Sequence, residues 1–352
     1  CIDRNNNTWV GCYRKGMLYL AKKKAQFSSW SFSEQKYNVG SSVSSICAGD
    51  NGSIYCTVLN NGVYKFDSSG KIIAHPASPE GSSIIYRDIE GEYWIGTNDG
   101  LYSYHPQNGT WTAVAKIKCE TMNYITEDGH GTLSISAHGS GLCTYNIKTK
   151  KFTSYSMFDR NTRNRLNNNW IMALKYDQNG LLWIGYSTGL SVFSPANRNF
   201  HPLKKTNFLS GIICYTICNY GKDNLLIGTN EGLYIYDRKS STTMPFNGGE
   251  QLQDKIINSI ITDNEGDIWC STSMGIWQYQ KRNKRFISYV NGNGLSAREY
   301  TPGTFLHNTD DRICFGTSDG ITVFYPKMIK YNSIKIGELK LTNMVIGNKT
   351  VN

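Results

Sequence analysis

A glycine followed by an apolar residue returns at near-constant intervals along this chain: Gly16, Gly62, Gly100, Gly141, Gly189, Gly232, Gly275 and Gly320. The steps are 46, 38, 41, 48, 43, 43 and 45 residues, a mean near 43. Periods of roughly 40–45 residues mark the four-stranded blades of β-propellers, although helical repeats of similar length exist. The local pattern decides between them. "YWIGT", "LWIGY", "LLIGT" and "ICFGT" are short apolar runs rich in bulky and β-branched residues. Each leads through a few polar residues to "GLYSY", "GLSVF", "GLYIY" or "GITVF", where polar and apolar positions tend to alternate. Strands fit this pattern, and a helix interrupted by glycine does not.

Asp3, Asp50, Asp88, Asp128, Asp177 and Asp263 each stand six residues before one recurring position. Tryptophan holds that position as Trp9, Trp94, Trp183 and Trp269. Cys56, Ser134, Leu226 and Cys314 hold it in the other units. Asp with a Gly two or three residues later is turn chemistry, because Asp accepts hydrogen bonds from the next backbone amides and Gly adopts positive φ. Each unit therefore reads as inner strand, Asp/Gly turn, second strand, short loop, Gly-started third strand and variable outer strand. Such a sheet cannot bury both faces alone, whereas packing its neighbours around a common axis buries them. The tryptophans are expected between blades, as core.

Several units also carry a resemblance. "IYRDIEGEYWIGTNDGLYSYHP" (85–106), "KYDQNGLLWIGYSTGLSVFSP" (175–195) and "ITDNEGDIWCSTSMGIWQYQ" (261–280) resemble the two-component-regulator propeller repeat. "RLNNNWIMALKYDQNG" (165–180) and "NGLSAREYTPGTF" (293–305) are similar to that family's blade-to-blade connections. The family forms extracytoplasmic sensors of hybrid two-component systems in gut Bacteroidetes. The resemblance covers nearly all of residues 1–326 and implies an all-β fold, a propeller of seven four-stranded blades, with eight as the alternative. Unit 1–36 belongs either to a preceding propeller or to closure of this ring. Residues 327–352 break the period and resemble a linker and the first strand of the immunoglobulin-like β-sandwich that follows such propellers. On this reading the chain is the second propeller of a longer protein, whose targeting signals are expected elsewhere.

The remaining composition narrows the chemistry. Hydrophobic content of 39% and charged content of 18% describe a globular chain. The longest apolar runs are only a few residues, too short for a transmembrane helix. Net charge is +10, which attracts acidic partners, but the basic residues are scattered apart from "AKKKA" (21–25) and "KRNKR" (281–285). Both runs read as solvated surface, no nucleic-acid module appears, and no direct nucleic-acid contact is expected. Ten Cys include no C-x-x-C, and six of them fall in expected strands, where Cys behaves as a small buried hydrophobe. Many free thiols argue for a reducing compartment, which conflicts with the periplasmic location that the resemblance implies.

The six His occupy no common repeat position and form no zinc spacing, the recurring Asp belong to turns, and neither a metal nor a cofactor is expected. No G-x-S-x-G, phosphate loop or assignable carboxylate pair points to catalysis. Ligand contacts are therefore expected from loops at one rim. The connection "MFDRNTRNRLNNNW" (157–170) offers Arg160, Arg163, Arg165, Asn168 and the flat face of Trp170. Arg298 and Tyr300 in "SAREY", His138 in "SAHGSGL", Tyr186 in "GYSTG" and Arg14 in "CYRKG" complete the candidate set. Arg grips carboxylate or sulfate bidentately. The resemblance implies detection of oligosaccharides from complex glycans, signalling across the inner membrane to regulate transcription, and a homodimeric, membrane-anchored parent. The basic balance tilts the ligand towards an acidic glycan. A propeller lyase or a protein-docking ring is the alternative.

Overall fold

The computed structural model describes residues 1–2, 8–12, 16–20, 26–37, 39–40, 42–160, 165–201, 203, 211–290, 295, 299–329, 344–346 and 349–351. Among these residues the chain forms seven four-stranded antiparallel sheets, each with its strands in chain order or nearly so. Blades 1 to 6 take residues 43–74, 84–116, 122–155, 171–201, 214–245 and 257–289. Blade 7 draws three strands from residues 300–324 and its outermost strand, Ser28–Ser31, from the other end of the chain. First strands of successive blades pack against one another around the ring, and that of blade 7 meets that of blade 1. The architecture is a seven-bladed β-propeller.

The eighth glycine-marked unit is thus not a blade. Its hairpin, Thr8–Cys12 with Gly16–Leu20, is a separate two-stranded sheet. Its remaining strand closes the ring, pairing Ser28 with Val323 and Ser31 with Gly320. The seam is reinforced by Asp319, whose carboxylate accepts from Ser31 Oγ at 2.6 Å, from the Ser33 amide at 3.1 Å and from Ser33 Oγ. At the far end, Met344–Ile346 pairs with Lys349–Val351 as a short hairpin.

In each of the seven blades the repeat glycine begins the third strand, as in Gly275–Gln280 and Gly320–Phe324. The reason is backbone proximity. A Cβ on Gly275 would strike the carbonyl of Tyr289 in the outer strand, and one on Gly320 the carbonyl of Trp30. Their φ values of +121° and +144° exclude most side chains as well.

The six-residue interval between Asp and Trp has an equally local cause. In blades 2, 4 and 6 the Asp Oδ1 accepts backbone amides of its own turn, and Oδ2 accepts the indole N–H of Trp94, Trp183 or Trp269. Each indole then packs against a third-strand ring of the next blade: Trp94 on Tyr145, Trp183 on Tyr236 and Trp269 on Phe324. In blade 1 the expectation is displaced by one residue. Tyr55, not Cys56, pairs with the third residue after the repeat glycine, as the tryptophans do. Gly49, not Asp50, makes the turn's amide-to-carbonyl bond, because Asp50–Gly52 adds a tight 3-10 turn.

One side chain crosses the ring. Tyr124, from the first strand of blade 3, donates its hydroxyl to the Tyr215 carbonyl of blade 5 at 3.2 Å. The same hydroxyl lies so close to Gly303 of blade 7 that no Cβ would fit there. Blades 3, 5 and 7 are not neighbours, so a group touching all three must span the axis. Gly303 reaches it because the strand Tyr300–His307 bulges between Tyr300 and Phe305.

Of the six cysteines expected in strands, Cys56, Cys143, Cys214, Cys270 and Cys314 are buried free thiols, while Cys218 is only partly buried. Burial pushes Cys143, Cys214 and Cys314 up to about 12. Such thiols stay protonated and inert at neutral pH.

Candidate functional site

The loop between second and third strands and the connection from one blade to the next emerge on the same rim. At blades 3 and 4 the described residues of these segments are 138–140, 156–160, 165–170 and 187–188. They are tied together by two asparagines. Asn169, only 3% exposed, accepts the Met157 amide at 2.7 Å and donates to the Gly139 carbonyl at 3.1 Å. Asn168 accepts the Trp170 amide at 2.8 Å and donates to Ser187 Oγ and Thr188 Oγ1 at 3.2 and 3.1 Å. Leu166 sinks into the core with Tyr155 and Phe193. The connection is therefore held at several points, although it is long.

This scaffold presents Trp170, 42% exposed, with the His138 ring edge-on at 4.2 Å between centroids. His138 is fixed through its backbone, donating to Thr121 O at 2.9 Å and accepting from Glu120 N at 3.1 Å. Its Nε2 is buried with no hydrogen-bond partner among the described residues. Burial lowers its pKa, opposed by Glu120, so the ring is neutral at pH 7. Arg160 and Arg165 are exposed on the same connection, and so is Phe158, at 78%. Aromatic faces take up the apolar side of a ring, and guanidinium groups take up a carboxylate or sulfate.

Other members of the expected set do not join this cluster. Tyr186 is 1% exposed and shares its hydroxyl with Ser191 Oγ at 2.8 Å, inside blade 4. Tyr300 is 4% exposed, with its hydroxyl accepting from Thr322 Oγ1 at 3.4 Å. Both are corrected from rim to core. Asn168 is in place, but its amide fastens the loop. Arg14, Arg163 and Arg298 lie outside the described residues.

Two features escaped the sequence. Asn169 ties the two ends of the connection to each other and to the loop at Gly139, and only its long-range partners reveal this. A second opening of about 410 Å³ lies at the ring seam, lined by Ser33, Lys36, Tyr37, Val39, Ser318 and Asp319. Because it joins residues from opposite ends of the chain, no repeat pattern marks it.

No family model matches the chain. It is 25% identical over 338 residues to Histidine kinase P4 of Formosa agariphila, a match covering 90% of this chain and 24% of that protein. Among solved structures it is similar to the extracellular domain of a candidate hybrid two-component system of B. thetaiotaomicron, BT3049. That likeness has a TM-score of 0.76 at 21% identity, and covers 100% of this chain and 49% of the other. The BT4673 extracellular domain from the same organism gives 0.70 at 20% identity, covering 88% and 40%. Virginiamycin B lyase from Staphylococcus aureus gives 0.65 at 15% identity, covering 85% and 98%. The chain thus spans about a quarter of its curated relative and about half of the first solved one. At these identities the solved structures share its fold, a seven-bladed propeller consistent with the repeat read from the sequence.

Proposed function

We propose that this chain is the ligand-sensing propeller of an extracytoplasmic, periplasmic receptor region in a hybrid two-component system. Its repeats resemble those of that family, and its relatives are described as a histidine kinase and as extracellular domains of such systems. The ligand is an oligosaccharide from a complex glycan, bound at the rim of blades 3 and 4. One observation carries this reading. Trp170, Phe158, Arg160 and Arg165 are each exposed on a connection whose two ends Asn168 and Asn169 fasten. Guanidinium groups beside aromatic faces favour an acidic glycan over a neutral one. Signalling to transcription runs through the parts of a homodimeric, membrane-anchored parent that follow the propeller.

Titration calorimetry of the purified chain with size-defined acidic and neutral oligosaccharides tests this. Saturable binding that weakens at least tenfold in Trp170→Ala and Arg165→Ala supports the rim site. A flat response to every sugar favours a protein-docking ring, and turnover of a sugar replaces the sensor with an enzyme.

A further inference from the structure

Blade 3 lacks the tryptophan found in blades 2, 4 and 6. Ser134 stands in its place and shares a hydrogen bond of 2.8 Å with Tyr176 Oη of blade 4. The facing ring of blade 4, Phe193, therefore packs on Tyr155 and Phe200 and receives no indole. A cleft of about 240 Å³ remains between the two blades.

The turn aspartate of blade 3 records the same loss. Asp128 Oδ1 accepts the His130 and Thr132 amides at 2.8 and 2.9 Å, as its counterparts do in their own turns. In the three other blades Oδ2 is satisfied by indole N–H at 2.8 Å. Among the described residues, Oδ2 of Asp128 has no donor, and Asp128 lines the cleft. Thr144 and Thr153 add hydroxyls, Tyr155 an aromatic wall, and Lys151 and Arg198 two exposed cations.

We propose that this cleft binds a single hydroxylated ring carrying a carboxylate, of the uronic-acid type. A ring hydroxyl supplies the donor that Asp128 Oδ2 lacks, the threonines bond further hydroxyls, and the carboxylate meets Lys151 and Arg198. The volume lies below the roughly 300–1,000 Å³ of sites for larger ligands, which limits the occupant to one ring. The site lies between blades 3 and 4 but does not use the rim residues, so it stands or falls separately from the rim.

Saturation-transfer difference NMR on the intact chain, with D-glucuronate, D-galacturonate, D-glucose and D-galactose as probes, tests it. The uronates are expected to give signals several-fold stronger than the hexoses. Thr153→Trp, on the partly exposed outer strand, fills the cleft and abolishes the signal, while Asp128→Asn weakens it several-fold. Absence of signal for every probe overturns the proposal, as does a signal that persists in Thr153→Trp in a protein whose unfolding midpoint is unchanged. Equal signals from uronates and hexoses overturn the assigned roles of Lys151 and Arg198.

Discussion

Trp269 Nε1–H donates to Oδ2 of Asp263 at 2.8 Å, and both residues are buried between blades 6 and 7. Loss of the indole strands a buried carboxylate oxygen and opens a gap against Phe324. Trp269→Phe is therefore expected to cost about 2–4 kcal/mol. Denaturant unfolding measures it, and a cost below about 0.5 kcal/mol would show that the bond is incidental.

Ring closure gives a second expectation. Gly320→Ala places a methyl against the Trp30 carbonyl at φ +144° and should displace the closing strand, costing about 2 kcal/mol or more. Gly180→Ala, at φ +74° with nothing within 4 Å, is the control, expected at about 1 kcal/mol. Limited proteolysis near residues 28–31 should accelerate in the first variant alone.

Glu127 makes stability depend on pH. Burial raises its pKa, with Asp88 and Asp128 adding to the effect, while the Ile89 amide at 3.0 Å opposes it. A carboxyl whose pKa is higher folded than unfolded holds its proton more tightly when folded. Stability is thus lost as pH rises from the ordinary Glu value through the raised one. Glu127→Gln should be more stable than the parent at pH 7, with the difference vanishing below the ordinary carboxylate range. Thermal melts from pH 3 to 8 check this, and a constant difference would refute it.

Asn169→Ala removes the tie between the Met157 amide and the Gly139 carbonyl. The expected cost is about 1–3 kcal/mol. Protease cleavage within residues 156–170 should also become faster, and unchanged cleavage would deny Asn169 its organising role.

These expectations show what the sequence carries. The glycine-started third strands were legible because glycines such as Gly100, Gly275 and Gly320 answer a local contact with the outer strand of their own sheet. The Asp–Trp interval was legible as spacing, but the indole bond behind it was not, since turn chemistry alone already accounted for Asp. Blade number stayed open because Ser28–Ser31 pairs with residues nearly three hundred positions away, and no local signal encodes that partner. Tyr186 could have been placed correctly. It shares a strand face with Leu182 and Ile184, and strict alternation turns all three towards core. Asn169 looks like any loop amide until its distant partners are known.

The Tyr124 hydroxyl lies across the axis, bonded to blade 5 and set against Gly303 of blade 7, so it couples three blades that share no edge. A displacement of any one of those three inner strands must therefore be felt by the other two.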